Sequence, residues 1–278
     1  MLNFVKTFNM VVFCLLTLIY LYQVVYAGIG FFTRNRVDSY VPKKLHKYAA
    51  VISARNESAV IGELLRTLRA QDYPTELLDL YVIADNCTDN TAEISEAAGA
   101  HVFVRNDTEH IGKGYALNFF FQNLTESYDG FFVFDADNLV EPDFVTEMNK
   151  VFDRGYQAVT SYRNSKNYAS NWITAGYSLW FLREARFLNH PRMLLGTNCA
   201  VSGTGFLVSN ELIQKHHGWP FHLLTEDIQF SVVCAIAGNR IGYCDRARLY
   251  DEQPVSFKQS WTQRLRWSKG FYQVIAQY

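Results

Sequence analysis

An α/β domain on a mostly parallel sheet, entered through one apolar N-terminal helix, is the fold class this sequence predicts. Three observations carry it: a charge-free stretch from Thr7 to Thr33, four strand-length apolar runs alternating with helix-length segments, and polar clusters directly after those runs. The 278 residues hold 26 Lys or Arg and 27 Asp or Glu, a formal net charge of −1, so the chain offers nucleic acid no electrostatic footprint. Apolar residues make up 49% and charged ones 19%, which excludes a disordered chain.

The first element is the apolar run. It lacks Asp, Glu, Lys and Arg for 27 residues, where roughly 20 suffice to cross a bilayer as a helix. We read residues 1–33 as a transmembrane anchor. A cleaved signal peptide is the rival, because Val25-Tyr26-Ala27 resembles a small-residue cleavage site, but the run continues past it through Phe31-Phe32. Lys6 precedes the run, whereas Arg34, Arg36, Lys43, Lys44 and Lys47 crowd after it. The positive-inside rule therefore puts residues 34–47, a basic linker, and the domain beyond them in the cytoplasm of a membrane-bound protein. On that side the Asn-x-Ser/Thr triplets at Asn56, Asn86, Asn106 and Asn123 are chance, and the five unpaired Cys are reduced thiols.

From residue 48 onward strands are expected at 49–53, 80–84, 102–104 and 131–134, with helices at 57–70, 91–98, 114–124 and 141–152. Pro142 falls in the first turn of the last helix, where its missing N–H costs nothing. This βαβ repetition implies parallel pairing, and such sheets bind ligands beyond the carboxyl ends of their strands. No domain break is evident over 48–278.

Each polar cluster after a strand has a structural and a functional reading. Ala54-Arg55-Asn56-Glu57 caps a helix or meets a nucleotide with backbone N–H groups. Asp85 through Thr91 caps the next helix, or Asp85 accepts hydrogen bonds from a base or ribose. Gly112-Lys113-Gly114 is a solvated turn or a phosphate site. Most specific is Asp135-Ala136-Asp137 after Phe131-Phe132-Val133-Phe134, two carboxylates able to reach one hard divalent cation such as Mg2+ or Mn2+. Thr225-Glu226-Asp227 is a threonine N-cap with acids in the first helical turn, or it supplies Asp227 as a general base. Gln263, Arg266 and Trp267 share one helical face. Trp261, Trp267, Phe271 and Tyr272 either anchor an interfacial helix in headgroups, or the Trp267 ring gives a platform for a sugar with Arg266 near a phosphate.

In order and spacing, Asp85, Asp135-x-Asp137, Thr225-Glu226-Asp227 and Gln263-x-x-Arg266-Trp267 resemble the D, DxD, TED and QxxRW motifs of family 2 glycosyltransferases of the cellulose, chitin, hyaluronan and poly-N-acetylglucosamine synthase type. The resemblance implies a Rossmann-like GT-A fold with helices on both faces of the sheet, a nucleotide-diphosphate sugar donor, a divalent cation and inversion at the anomeric carbon. It implies donor contacts from Glu57, Asp85, Lys113 and Asp135, with Asp85 at a uracil, and metal contacts from Asp135 and Asp137. Asp227 would be the base, and Glu226, Gln263, Arg266 and Trp267 would line the acceptor and diphosphate end. Ser202-Gly203-Thr204-Gly205-Phe206 resembles the glycine-containing floor of the sugar pocket. The acceptor would be a growing glycan or a lipid-linked molecule. Displacement in one step needs no nucleophilic Cys. A membrane protein that binds a nucleotide-sugar without turning it over is the alternative. Polymer-extruding relatives continue past QxxRW into further membrane helices, whereas Tyr278 follows Trp267 by eleven residues; a chain truncated before those helices is expected.

Overall fold

The computed structural model describes residues 2–33 and 40–278; Arg34 and Arg36 of the basic linker lie outside them. Helix α1 (Leu2–Phe32) is apolar around its circumference and buries only Gly30. It is long and apolar enough to cross a membrane.

The domain that follows is organised on one sheet of eight strands in the order β3-β2-β1-β4-β7-β6-β8-β5. Strands β1 (Tyr48–Ala54), β2 (Leu78–Asp85), β3 (His101–Arg105) and β4 (Gly130–Asp135) run parallel, close to the sequence expectation. Beyond β4 the sheet is mixed. Strand β7 (Phe206–Ser209) is antiparallel to β4 and to β6 (Ala158–Ser165), β8 (Ile241–Asp251) is parallel to β6, and β5 (Leu139–Val140) closes the edge antiparallel to β8. Successive residues of a strand point to opposite faces, and Tyr48 through Ile52 are all fully buried, so helices and loops cover β1 on both sides. Each large apolar side chain buried there contributes about 1.5–3 kcal/mol, which explains why β1 and β4 read as unbroken apolar runs.

Two helices start later than the sequence suggests. The helix expected from Glu57 is α2 (Ile61–Arg69), preceded by a turn closed by the Ile61 N–H on the Glu57 carbonyl, whose own N–H groups at Glu57 and Ser58 donate to Thr91 Oγ1 at 2.9 Å and Asp89 Oδ2 at 3.1 Å. The helix expected from Glu141 is α5 (Phe144–Phe152), because the Glu141 N–H bonds the Arg248 carbonyl and prolongs the β5–β8 pairing; Pro142 therefore lies before the helix. Helices α3 (Thr91–Ala97) and α4 (Lys113–Asn123) keep close to their expected places.

The second half has fewer sequence signals. Helix α6 (Trp172–Glu184) begins with an Asn171 capping box and runs through a π-helical turn (Ala185–Asn189) into α7 (His190–Leu195). Then come α8 (Asn210–Lys215), α9 (Glu226–Ile236) and the final α10 (Phe257–Gln277), the last capped by Ser256. The end of α1 packs on the π-turn: Phe31 and Phe187 rings lie 5.0 Å apart, Arg183 donates to Gln23 at 2.7 Å, and Arg186 donates to the Thr33 carbonyl at 3.0 Å.

Candidate active site

The carboxyl end of β2 carries Asp85, which is buried and in register with Arg105 at the end of β3. Arg105 Nη1 donates to Asp85 Oδ1 at 2.6 Å, and its Nη2 donates to Asp107 at 2.8 Å and to the His110 carbonyl at 2.7 Å. The Asp85 carboxylate thus shares its charge with a buried guanidinium that no motif announces. In the same cluster Asp89 is structural: it accepts from Thr91 and Ser58, and these bonds lower its pKa to about 2. Glu57 faces the other way in electrostatic terms. Burial, then Asp135 and Asp89, raise its pKa.

Lys113 opens α4 and turns its ammonium into the site, donating to Asp135 Oδ1 at 2.5 Å and to the Gly203 carbonyl at 2.8 Å. Burial works to lower its pKa, but the charges of Asp135, Glu226 and Asp227 reverse this and the net direction is upward. The turn fits only because residue 114 is glycine: a Cβ there would stand 1.9 Å from the Phe221 carbonyl oxygen. Asp135 is held from behind, its N–H donating to Thr204 Oγ1 at 2.9 Å and to Asn138 Oδ1 at 3.1 Å. The segment Ser202–Gly205 thus forms a floor. Lys113 grips it at Gly203, Arg163 donates to the Ser202 carbonyl at 2.8 Å, and Gly203 (φ +82) faces Asp227, whose Oδ2 would be 3.5 Å from an added Cβ.

Asp137 sits deeper. Burial, then the charges of Asp251 and Asp135, push its pKa to about 7 against the pull of Lys166 and Arg163. Asp251, at the end of β8, accepts from Arg163 Nε at 2.8 Å and from Gln253 Nε2 at 3.1 Å. Arg163 also stacks over the Phe181 ring, 4.1 Å from its centroid. Neither Arg163 nor Asp251 belongs to the sequence motifs, although Asp251 ends a strand before the polar Glu252-Gln253, the same pattern that drew attention to Asp135.

Glu226 and Asp227 begin α9. The expected N-cap is absent: Thr225 makes no capping bond, and its buried Oγ1 has no hydrogen-bond partner among the described residues. Gly270 of α10 is pressed so close that a Cβ would come within 2.5 Å of Thr225, which ties the two acids to α10. Burial first, then Asp227, push Glu226 to about 7, against Lys113. Asp227 is raised mainly by burial, opposed by the Ile228 N–H and the charges of Lys113 and Arg163.

A cleft of about 590 Å3 joins Asp137 to α10, lined on the helix by Lys258, Gln259, Thr262, Gln263 and Arg266. The buried Gln263 Oε1 has no partner among the described residues. Trp267 is set apart from Gln263 and Arg266: its ring packs edge-on to Tyr177 of α6, 5.9 Å between centroids. Asp85, Lys113, Asp135, Asp137, Glu226, Asp227, Gln263 and Arg266 thus lie on one side of the sheet's carboxyl edge or the helices that face it.

The Asp135/Asp137 pair fits a divalent cation. A buried carboxylate whose ionised form is opposed by two neighbouring carboxylates is one that a cation would relieve. No group of three or more His, Cys, Asp or Glu that could hold a metal occurs among the described residues. Two carboxylates are the donor set of Mg2+-type sites, which complete their shell with substrate phosphates and water.

Residues 46–270 match the family model described as "Glycosyltransferase like family 2". The chain belongs to that family. Among curated relatives, this family 2 glycosyltransferase is 28% identical over 230 residues to a poly-beta-1,6-N-acetyl-D-glucosamine synthase of Staphylococcus aureus, covering 81% of this chain and 54% of that protein. It is 26% identical over 234 residues to the beta-monoglucosyldiacylglycerol synthase of a Synechocystis strain, covering 82% and 48%. The chain therefore spans about half the length of these relatives. Among solved structures, the Pyrobaculum calidifontis mannosyltransferase PcManGT, in complex with GDP-Man and Mn2+, superposes with a TM-score of 0.70 at 19% identity, covering 92% of this chain and 70% of that one. The 1–349 portion of S. aureus TarS, in complex with UDP-GlcNAc, gives 0.57 at 19% identity, covering 77% and 60%. The fold is of the GT-A type.

Proposed function

We propose that this family 2 glycosyltransferase moves a sugar from a UDP-sugar to a hydroxyl of a growing glycan or lipid-linked acceptor at a cell membrane, with inversion and with a divalent cation. One observation carries the reading: Asp135 of the Asp135/Asp137 pair and a separate buried carboxylate, Asp227, 92 residues on in sequence, face the same lysine, Lys113. In-line displacement requires that division, since the nucleophile enters on the face opposite the departing diphosphate.

In this reading Asp85, with Arg105 behind it, and Glu57 meet the nucleoside. Asp135 and Asp137 hold Mg2+ or Mn2+, which supplies Lewis-acid stabilisation to the diphosphate. Lys113 adds a fixed positive charge where negative charge develops on the leaving group. Asp227 accepts the proton of the acceptor hydroxyl; its raised pKa makes it a stronger base than a surface aspartate. Glu226 modulates that proton transfer, and the unpartnered Gln263 Oε1 and the Arg266 guanidinium orient acceptor and diphosphate. Trp267 acts through the α6–α10 contact. We further propose that residues 1–33 are the anchor, that 34–47 link it to one catalytic domain over 48–278, and that this domain lies on the cytoplasmic side.

The test is UDP release by the detergent-solubilised chain over a panel of UDP-sugars, with Mn2+ or Mg2+ and then with chelator. Release with one donor, lost on chelation and in Asp227→Asn while UDP binding persists, supports the reading. Full transfer by Asp227→Asn, or activity indifferent to chelator, overturns it.

A further inference from the structure

Helix α6 turns one continuous face inward. Tyr177, Phe181 and Glu184 stand at i, i+4 and i+7, so they share that face. Tyr177 is buried against α10, its OH 3.1 Å from Ser260 Oγ and its ring edge-on to Trp267. Phe181 is buried against Arg163, whose guanidinium lies 4.1 Å from the ring centre. Glu184 ends the helix on the same face, and no sequence motif announces it.

The segment after Glu184 ties it to the glycine floor. The π-helical turn begins at the next residue, and such turns recur at functional sites. At its end the Asn189 side chain accepts from the Ala200 N–H at 3.1 Å and donates to the Ala200 carbonyl at 3.4 Å. From the opposite side, Ser231 Oγ accepts from the Val201 N–H at 3.0 Å and donates to the Asp227 carbonyl at 2.8 Å. The approach to the floor therefore runs between the π-turn and α9, and Glu184 and Asp227 feel each other's charge across it.

Glu184 is half-buried and has no partner. Arg163 directs its N–H groups to Asp251 and the Ser202 carbonyl, Arg183 donates to Gln23, and Glu184 forms no hydrogen bond or ion pair through its carboxyl with any described residue. Glu57, Glu226 and Asp227 are likewise not exposed and form no ion pair or bond to another side chain, and all three belong to the site. A sheltered carboxyl left open in this way is one whose hydrogen-bonding capacity the fold does not use. Burial, with the charge of Asp227, raises its pKa to about 7 against Arg163, Arg192 and Arg183, so near neutral pH it can donate a hydrogen bond as well as accept one.

We propose that Glu184 is an acceptor-binding residue: its carboxyl hydrogen-bonds a second hydroxyl of the molecule whose reacting hydroxyl meets Asp227, and so holds that molecule over the Ser202–Gly205 floor. The acceptor class this favours is a polyol such as a sugar ring, since an acceptor with a single free hydroxyl gains nothing from the contact. The proposal rests on the transferase reading above and adds to it a residue outside every motif.

The full chain is assayed in the membranes in which it is expressed, with the UDP-sugar it accepts labelled in the sugar, and label is counted separately in free sugar and in transferred product. Glu184→Leu should cut transfer about tenfold while hydrolysis of the donor and UDP affinity change by less than about twofold, because only the acceptor loses a contact. Glu184→Gln keeps a donor and an acceptor atom and should retain most of the transfer. Transfer and hydrolysis falling together would assign Glu184 to the fold or the donor site, and a glutamine variant as poor as the leucine one would assign it to balancing the arginines; either overturns the proposal. Unchanged transfer in Glu184→Leu overturns it as well. A wild-type chain that releases no UDP, or yields free sugar alone, sinks the transferase reading and this proposal with it, and that result is read before any variant is made.

Discussion

Lys113 Nζ lies 2.5 Å from Asp135 Oδ1, and the same ammonium holds the Gly203 carbonyl at 2.8 Å. One cation therefore ties the end of β4 to the glycine floor of the site. In the proposed function it faces the diphosphate, and replacing it should remove charge stabilisation while leaving the Asp135/Asp137 pair in place. Lys113→Met is expected to lower kcat/KM roughly 100-fold, with a smaller change in UDP affinity, measured by steady-state UDP release and by calorimetric titration with UDP.

Arg105 and Asp85 form a buried pair at 2.6 Å. Removing one partner leaves the other charge without compensation, which typically costs about 3–5 kcal/mol. Arg105→Leu should lower the unfolding midpoint markedly, and adding Asp85→Asn should recover a good part of the loss. A loss in the double variant equal to the sum of the losses in Arg105→Leu and Asp85→Asn alone would show that the pair is not coupled.

Glu184 gives a pH signature. Burial, with Asp227 second among the groups that raise it, moves its pKa from 4.5 to about 7 in the folded chain, despite Arg163, Arg192 and Arg183. Below the unfolded value the carboxyl is protonated in both states. As pH climbs from there to about 7, the folded state keeps a proton that the unfolded chain has lost, so stability falls across that window. Glu184→Gln should therefore raise the melting temperature at pH 8, by the equivalent of about 1–3 kcal/mol, and leave it unchanged at pH 4.

Gly114 and Gly270 are sites of close approach to Phe221 and Thr225. A methyl at 114 meets a backbone carbonyl that cannot rotate away, so Gly114→Ala should destabilise by roughly 3 kcal/mol or more. At 270 the obstacle is the Thr225 side chain, and Gly270→Ala should be rescued in part by Thr225→Ser, which removes the methyl Cγ2. Denaturation curves of the single and double variants decide it.

Activity should also fall toward acid pH with a midpoint above the ordinary aspartate range, since burial raises Asp227 and a base must be ionised to act. A pH profile of kcat/KM flat down to the normal aspartate value would remove Asp227 from that role.

Strands β1, β2 and β4 were legible because burial on both faces makes them nearly unbroken apolar runs, and the edge strand β3 because Val102-Phe103-Val104 is still a short apolar run; the polar residues ending such runs mark the sheet's carboxyl edge. Asp85, Asp135 and Asp137 could be singled out for this reason alone. The later strands were not legible: β8 alternates buried and exposed residues over Asp245 to Tyr250, β5 is two residues long, and β6 shifts register between Ser161 and Tyr162. Periodicity is too short or too broken there to be read. The helices expected from Glu57 and Glu141 start later, at Ile61 and Phe144, after a turn at Glu57 and after the Glu141 N–H extends the pairing to Arg248, far along the chain.

The sequence by itself determined the apolar helix, the parallel half of the sheet and the residue types of the site, because burial and spacing are local properties written in consecutive residues. Only the tertiary structure decided that Arg105 stands behind Asp85, that the paired Arg163 and Asp251 act on Asp137 with opposite charge, that Lys113 serves the carboxylates of two motifs, and that Trp267 turns to Tyr177. Those are pairings between residues 20 to 114 positions apart. They depend on strand order and on which faces meet, and no window of sequence contains that information.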